Sequence, residues 1–135
     1  MILLENFLSE NKEYTKYFYP FIVHEHKARN SSLHYDLRFV VPHNEKILWS
    51  FAFPKEFTKK LTSKIIGYRT KDHDIRWLTL NSYRLNVFDK GKLQFEIFSK
   101  SYLKIFFIGN ELKGSYILFH ISKGIRNDKW LLKKI

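Results

Sequence analysis

Residues 33–41, LHYDLRFVV, decide the fold expected for this chain, and they overlap the longer stretch FIVHEHKARNSSLHYDLR at residues 21–38. One parity of this segment is apolar or aromatic: Leu33, Tyr35, Leu37, Phe39 and Val41. The other parity begins with His34, Asp36 and Arg38. Because successive side chains of a strand point to opposite faces, the alternation predicts a half-buried β-strand. Its polar face would carry an imidazole, a carboxylate and a guanidinium side by side.

The rest of the chain reads as short strands separated by turns. Residues 46–53, KILWSFAF, alternate again after the turn PHNE at residues 42–45, which predicts a hairpin with the first strand. Many short strands at this spacing predict a mainly β protein, either a barrel or a sandwich. The further strands are expected at about residues 67–71, 75–80, 83–88, 93–98, 103–108, 115–121 and 129–134, with turns at 89–92 and 109–114.

Two segments carry helical periodicity. Apolar residues near the N-terminus predict a short amphipathic helix, and they are Leu3, Leu4, Phe7 and Leu8. Phe57, Leu61 and Ile65 mark either a second helical stripe or a long basic loop. The chain contains no repeat, low-complexity tract or linker, so we expect one domain over residues 1–135. Within it, residues 1–20 form a helical and aromatic segment and residues 21–134 form the strand-rich body.

The composition is that of a folded and strongly basic protein. With 44% hydrophobic and 18% aromatic residues among 135, the chain can bury a substantial core. Its 24 lysines and arginines against 13 acids give a net charge of +11. A charge of this size attracts polyanions, of which nucleic acid is the commonest. The alternative is a basic surface that serves solubility alone.

Three missing features narrow the class further. The chain has no cysteine, so disulfides, thiolate chemistry and cysteine-bound zinc are ruled out. Any metal must therefore use histidine and carboxylate ligands. No apolar run is long enough to span a membrane, and the N-terminus lacks the cleavage site of a signal peptide. We therefore expect a cytoplasmic protein without a membrane partner.

The polar face of the first predicted strand has the composition of a metal site. Residues two apart on a strand are separated by roughly 6–7 Å, so His34 and Asp36 can reach one ion. His26 can fold back as a third ligand, and His24, on the same parity, competes with it. Two histidines and one carboxylate suit Mn, Fe or Zn, while the fork of Arg38 suits a phosphate. The alternative is an exposed strand face with an ion pair.

Two further residues are candidates for contacts to a phosphate. His73 lies in the polar stretch KDHD, residues 71–74, between two predicted strands. A ring projecting there into a groove can donate a hydrogen bond to a phosphate oxygen or protonate a leaving group. The alternative is an exposed loop histidine. Lys55 directly follows the strand-ending Pro54, where it can contact a phosphate.

Residues 26–38 resemble the signature His-x-Ala-x-x-Leu-His-Tyr-Asp-Phe-Arg of the 3′-phosphoesterase family. This family occurs as a module of bacterial DNA ligase D and as free-standing archaeal and bacterial proteins. Residues 33–38, LHYDLR, match the signature almost letter for letter. Further segments resemble the family in the same order: WSFAFPK at 49–55, DH at 72–73, NVFDKG at 86–91, LKGSYIL at 112–118 and KWLLKK at 129–134. The resemblance covers about residues 21–134.

The resemblance implies a fold, an activity and a set of partners. The fold would be a β-barrel with a groove, and the activity would be Mn²⁺-dependent, with Zn²⁺ or Co²⁺ as alternatives. The reaction implied is removal of a 3′-phosphate, or of a 3′-ribonucleotide, from DNA ends in repair. The partners implied are DNA 3′ ends or a primer–template duplex, with RNA ends as an alternative, and a separate DNA ligase or polymerase.

The resemblance also assigns roles to residues. It matches the metal ligands to His26, His34 and Asp36, and the catalytic phosphate contacts to Arg38 and His73, with Lys55 in support. Several positions depart from the family's pattern. The loop from residue 26 to residue 34 is two residues longer, Lys71 stands where the family has Glu, and Trp77 stands where it has Tyr. Ile65 stands where the family has an Arg, and Lys64 or Arg69 could take the place of that Arg. The metal ligands of the family are thus matched in this sequence, while the residues expected to contact the phosphate and the substrate around them differ. The alternative function is therefore a catalytically impaired nucleic-acid-binding barrel with a structural metal.

Overall fold

Eight antiparallel strands close into a barrel in the computed structural model, which describes residues 12–27, 29, 32–80 and 84–135. The strands are β1 (Tyr19–Lys27), β2 (Leu33–Val41), β3 (Asn44–Pro54), β4 (Lys64–Asp74), β5 (Leu85–Phe98), β6 (Tyr102–Ile108), β7 (Lys113–Lys123) and β8 (Asp128–Lys134). Their order around the barrel is β1–β2–β3–β4–β8–β7–β6–β5, and β5 pairs with β1. The predicted β-barrel is confirmed, and the sandwich alternative is wrong because the sheet closes on itself.

Three short 3₁₀ helices accompany the strands: η1 (Lys12–Lys16), η2 (Lys55–Lys59) and η3 (Ile75–Leu78). The helix predicted within residues 3–18 has all its apolar positions, residues 3, 4, 7 and 8, outside the described residues. Helix η1 is tied to β5, because the hydroxyl of Tyr14 accepts a hydrogen bond of 3.0 Å from the backbone N–H of Phe98. Within the described ranges, no helix has the length and apolar character needed to cross a membrane.

Aromatic side chains fill the interior of the barrel. The ring of Phe39 stacks on Phe51 with centroids 5.7 Å apart, and Phe95 meets Phe39 edge-on at the same distance. Full burial of one such side chain contributes about 1.5–3 kcal/mol. The largest fully buried side chains include Phe21, Phe39, Phe51, Phe53, Phe57, Phe95, Phe107 and Trp130. The core therefore draws on strands from all around the barrel.

Two segments differ from the sequence-based prediction. Residues 75–80 were expected to form a strand, but the carboxylate of Asp74 accepts a 2.8 Å hydrogen bond from the N–H of Arg76 and so caps η3 instead. Residues 55–59 form η2, which buries Phe57 against β2 and β3. Ile65 already belongs to β4. The region from 57 to 65 is thus neither one helical stripe nor a long loop.

Strand β5 replaces the turn predicted at residues 89–92. It runs unbroken for 14 residues, with its first part paired to β1 and its last part to β6. Gly91 permits close packing rather than a turn, because a Cβ atom there would clash with the carbonyl oxygen of Ile108. The turn-like composition of this segment therefore reflects contact with a neighbouring strand.

The buried carboxylate of Asp89 holds the turn between β6 and β7. Its two oxygens accept hydrogen bonds of 2.8–3.1 Å from the backbone N–H groups of Lys90, Asn110, Glu111 and Leu112. Four such bonds offset the cost of burying a charged group. Asp89 lies in one of the segments that resemble the phosphoesterases, and its contacts are those of a structural residue.

We expect Asp89→Ala to lower the free energy of unfolding by about 2–4 kcal/mol, because several backbone amides lose a charged acceptor at once. Urea denaturation followed by circular dichroism measures this change. The matched control is Glu111→Ala, whose exposed side chain lies in the same turn. An Asp89 variant as stable as this control would contradict the structural role.

Candidate metal centre

The register of β1 and β2 places the polar side chains of both strands on the outer face of the barrel. His26 pairs directly with His34, and His24 pairs with Asp36. Directly opposed residues in an antiparallel pair project to the same face, and the parity of β2 adds Arg38 to it. The inner face of the same strands carries core residues such as Leu37. Parity thus sets these polar residues apart from core residues such as Leu37, although Glu25 lies on the inner parity and Val40, on the outer parity, packs in the core.

Three ligand atoms converge at the open end of this face. Nδ1 of His26 lies 3.0 Å from Nε2 of His34. The Oδ2 atom of Asp36 lies 3.3 Å from Nε2 of His34 and 3.5 Å from Nδ1 of His26. These are the three residues whose ligand atoms form a cluster able to hold an ion in the described part of the chain. The two rings are partly exposed and the carboxylate is only 4% exposed, so the cluster opens to solvent on its histidine side.

The separations fit one divalent metal ion. Metal–nitrogen and metal–oxygen bonds of about 2.1 Å place ligands about 3.0 Å apart at right angles and about 3.4 Å apart at the tetrahedral angle. The observed values of 3.0, 3.3 and 3.5 Å lie close to both. Two imidazoles and one carboxylate suit Mn, Fe, Zn or Co and leave coordination positions free for a substrate. The three predicted ligands are therefore brought together with a suitable geometry.

The electrostatics of the cluster keep the carboxylate ionised. Burial on its own would raise the pKa of Asp36, but the hydrogen bond with His34 and the charge of Arg38 outweigh it and hold that pKa below its ordinary value. The same hydrogen bond, which His34 donates to Asp36, raises the pKa of His34. An anionic oxygen facing two imidazole nitrogens attracts a cation, whether that cation is a proton or a metal ion.

Arg38 and His24 form a second layer behind the cluster. Nη2 of Arg38 lies 3.3 Å from Oδ2 of Asp36, and its Nη1 donates to Nδ1 of His24 at 2.8 Å. Nε2 of His24 lies 3.1 Å from the carbonyl oxygen of Leu80, so it carries the proton. Burial lowers the pKa of His24, which agrees with a neutral ring. Both nitrogens are engaged, so the structure does not bring His24 to the cluster as the alternative ligand.

The segment after β4 covers this second layer, so the outer face of β2 is buried at Asp36 and Arg38. The indole of Trp77 lies over the guanidinium of Arg38, 4.7 Å from ring centroid to Cζ. The ring of His73 meets the same indole edge-on at 4.6 Å. Arg38 is consequently only 4% exposed, and the prediction of a half-buried strand is wrong for this part of β2. Contact of Arg38 with a phosphate requires Trp77 to move.

Three buried polar atoms around Arg38 have no hydrogen-bond partner among the described residues. They are Nε of Arg38, Oγ of Ser50 and Nδ1 of His73. Ser50 pairs with Arg38 across β2 and β3, and His73 pairs with Leu48 at the next irregularity of β3 and β4. Buried polar atoms are nearly always bonded, so these atoms are suited to receive an anion or water. Burial, and next the charge of Arg38, lower the pKa of His73 and favour its neutral form.

The remaining predicted residues lie further from the ligands. Lys55 is exposed at the start of η2, directly after Pro54, the register partner of His34. Lys64 lies on the outer face of β4 but opposite Lys133, far along the strand from His73. Arg69 has the opposite parity, packs over the Trp49 ring at 3.9 Å and pairs with Asp72 at 3.2 Å. The structure therefore does not bring Arg69 to the cluster.

Two residues of the site were missed as participants from the sequence. Ser50 shares the parity of the polar face, and the signal was a small hydroxyl in the apolar run KILWSFAF. Trp77 was noted only as a departure from the family's pattern. Its contact with Arg38 depends on the helical turn η3, which replaced the predicted strand. No local pattern pairs an indole with a guanidinium 39 positions away.

We expect the protein to bind one Mn²⁺, Zn²⁺ or Co²⁺ ion through His26, His34 and Asp36. Asp36→Asn keeps the shape of the side chain but removes its charge, so metal affinity should fall by more than about 100-fold. Native mass spectrometry and the visible absorption of Co²⁺ measure occupancy. His26→Ala, at a partly exposed position, should show the same loss, while His43→Ala, at an exposed turn, should bind as the wild type. Full occupancy in Asp36→Asn would show that these are not the ligands.

Comparison with known proteins assigns no family to this chain. No protein-family model and no curated protein matches it. The function is therefore inferred from the geometry of the metal centre, from the charge of the chain and from the resemblance carried by residues 26–38.

Proposed function

We propose that this protein is a metal-dependent 3′-phosphoesterase that acts on nucleic-acid ends. The observation that carries the proposal is the position of one buried carboxylate oxygen, Oδ2 of Asp36. It lies 3.3–3.5 Å from the ring nitrogens of His26 and His34 and 3.3 Å from the guanidinium of Arg38. A candidate cation site and a guanidinium thus lie on either side of one carboxylate, an arrangement suited to binding and polarising a phosphate ester.

The reaction is a hydrolysis at phosphorus. A water oxygen forms a bond to phosphorus, the bond from phosphorus to the 3′ oxygen breaks, and the 3′ oxygen takes up a proton as inorganic phosphate leaves. A divalent ion held by His26, His34 and Asp36 would polarise a phosphate oxygen when bound. The protein's own residues then have to hold the phosphate and stabilise the charge that develops on it.

Arg38 and His73 are suited to that task. Nε of Arg38 is a buried donor without a partner, Nδ1 of His73 is a second buried atom without one, and both side chains contact Trp77. Because its pKa is lowered, His73 is neutral near pH 7 and better placed to donate a hydrogen bond than to act as a strong acid. Lys55 is exposed and directly follows Pro54, the register partner of His34, so it can contact a backbone phosphate of the nucleic acid next to the reacting end.

The charge of the protein supports a nucleic-acid substrate. With a net charge of +11, the surface attracts the phosphate backbone of DNA or RNA irrespective of sequence. The positions that depart from the phosphoesterase pattern, Ile65, Lys71 and Trp77, are not among the three candidate metal ligands: Ile65 is buried in the core and Trp77 covers Arg38. We therefore expect removal of a 3′-ribonucleotide to be weaker than removal of a 3′-phosphate. A separate DNA ligase or polymerase would complete repair of the cleaned end.

A second candidate function is a nucleic-acid-binding barrel in which the metal only braces the fold. The burial of Arg38 under Trp77 favours it, because a guanidinium that stays covered cannot contact a phosphate. Both functions use the same metal ligands. They differ in whether phosphate is released, which an activity assay decides.

We expect release of inorganic phosphate from a DNA primer with a 3′-phosphate in the presence of Mn²⁺. Arg38→Ala and His73→Ala should each lower kcat by about 10²–10³-fold while DNA binding remains, because these groups act on the developing charge. His43→Ala serves as the histidine control and should turn over normally. If wild type and Asp36→Ala release phosphate equally slowly with Mn²⁺, Zn²⁺ and Co²⁺, the catalytic proposal fails and the binding function stands.

Binding to DNA ends should weaken steeply with salt and depend little on sequence. Each neutralised phosphate releases counterions, so the logarithm of the affinity falls linearly with the logarithm of the salt concentration. Fluorescence anisotropy of two labelled duplexes of unrelated sequence, titrated between low and physiological ionic strength, measures both properties. A flat salt response would exclude nucleic acid as the partner of the basic surface.

A further inference from the structure

The outer face of β4, β8, β7 and β6 carries a band of apolar and aromatic side chains, of which Ile66, Tyr68 and Tyr102 are exposed and Phe119 and Leu131 are partly exposed. Register pairs place Ile66 beside Leu131, Leu131 beside Phe119, and Phe119 beside Tyr102. The rings of Phe119 and Tyr102 stack with centroids 6.2 Å apart. Tyr68, two residues beyond Ile66 on the same face, is 38% exposed, as is Tyr102. We call these residues the aromatic band: Ile66, Tyr68, Tyr102, Phe119 and Leu131.

Lysines border the aromatic band on both sides. Lys64 pairs with Lys133 in the register row on one side, and Lys129 pairs with Tyr68 on the other. No acidic side chain in the described ranges forms an ion pair with these three lysines. Lys104, further round the barrel, pairs with Glu96 at 3.2 Å. The band is therefore an apolar surface between unpaired positive charges.

The aromatic band is continuous with the metal centre. The register row that contains Asp36 runs through Ala52 to Tyr68. A surface cavity of about 520 Å³ joins the two sites, and its lining includes His34, Ala52, Pro54, Ile66, Tyr68 and Lys129. Ala52, with its single methyl group, leaves the path between ligand and band unobstructed. From β2 to β6 the path crosses five strand spacings, or about 24 Å.

We propose that this surface binds an unpaired, single-stranded 3′ segment of nucleic acid and delivers its terminus to His26, His34 and Asp36. Bases stack on the rings of Tyr68 and Tyr102, and the flanking lysines contact the phosphates. The surface as a single-strand site stands on its own observations, and only the position of the 3′ terminus rests on the proposed function. A path of this length accommodates several nucleotides, as single-strand sites on other small barrels do.

The composition of this surface favours single-stranded nucleic acid over a duplex or a protein partner. Exposed rings gain contact energy from the faces of unpaired bases, whereas a duplex offers mainly phosphates on its outside. Protein interfaces are depleted in lysine, and here lysine borders the apolar band on both sides. Charge complementarity with a polyanion, at a net charge of +11, points the same way.

The test compares binding of a 12-nucleotide single strand with that of a blunt duplex of the same sequence. Both carry a 3′-hydroxyl and a fluorescent label, so neither offers the phosphate whose release is proposed, and anisotropy reports affinity alone. We expect Tyr68→Ala and Tyr102→Ala each to weaken single-strand binding by about 5- to 150-fold, since stacking contributes about 1–3 kcal/mol per base. Duplex binding should stay within about twofold.

Matched variants separate stacking from folding and from charge. Tyr68→Phe and Tyr102→Phe keep the rings and should bind as the wild type, while Tyr17→Ala removes an exposed tyrosine that lies outside the band. Lys133→Ala should lower the slope of affinity against salt by about 0.7 for single strands, the value expected for one phosphate contact. Thermal melting of each variant checks that the barrel is intact.

The outcomes distinguish this inference from the proposed function. If Tyr68→Ala and Tyr102→Ala bind single strands as tightly as the wild type does, the inference is overturned even if phosphate is released, and a protein occupant becomes the alternative for the band. If single-strand affinity falls as expected but no phosphate is released under any metal, the surface stands and the phosphoesterase proposal fails. If Tyr68→Ala and Tyr102→Ala lose affinity for the single strand and for the duplex equally, the inference is also overturned, because the tyrosines would then contact the nucleic-acid backbone rather than unpaired bases.

Discussion

The outer face of this barrel depends on the compensation of one buried negative charge. Oδ2 of Asp36 faces the guanidinium of Arg38 and the ring nitrogens of His26 and His34, all within 3.5 Å. A carboxylate that is almost fully buried costs several kcal/mol unless such partners surround it. Arg38 in turn is held by His24 and covered by Trp77. Asp36 and Arg38 each depend on the other's charge, so removal of one leaves the other as a buried charge without its partner.

The two faces of the barrel divide structure from chemistry. The inner face carries the aromatic core. Asp89 holds the turn between β6 and β7, and Gly91 allows β5 to pack closely against Ile108 of β6. Outside, the metal centre and the aromatic band lie on the same surface, linked through Ala52. Successive side chains of β2 point to opposite faces, so the candidate ligands His34 and Asp36 lie on the face away from Leu37 and the aromatic core.

The cover over Arg38 connects the two candidate functions. Trp77 and His73 come from β4 and η3, the region where the chain departs most from the phosphoesterase pattern. An indole over the guanidinium strengthens the second layer through a cation–π contact and shields the charge of Arg38 from water. The same contact restricts access of a phosphate. The position of Trp77 therefore controls access to Arg38, and this access is where the two proposed functions differ.

Local pattern predicted a mainly β fold and the candidate ligands His34 and Asp36. Strict alternation at residues 33–41 predicted a strand, the repeated short strands predicted a barrel or a sandwich, and the spacing of His34, Asp36 and Arg38 indicated a polar face. Closure of the sheet, the choice of His26 over His24 and the meeting of Trp77 with Arg38 came only from tertiary structure. So did the aromatic band, whose strands are neighbours in the order β4–β8–β7–β6 and not in sequence. Parity is a property of consecutive residues, whereas register and neighbour order arise from contacts between distant segments, which no local pattern encodes.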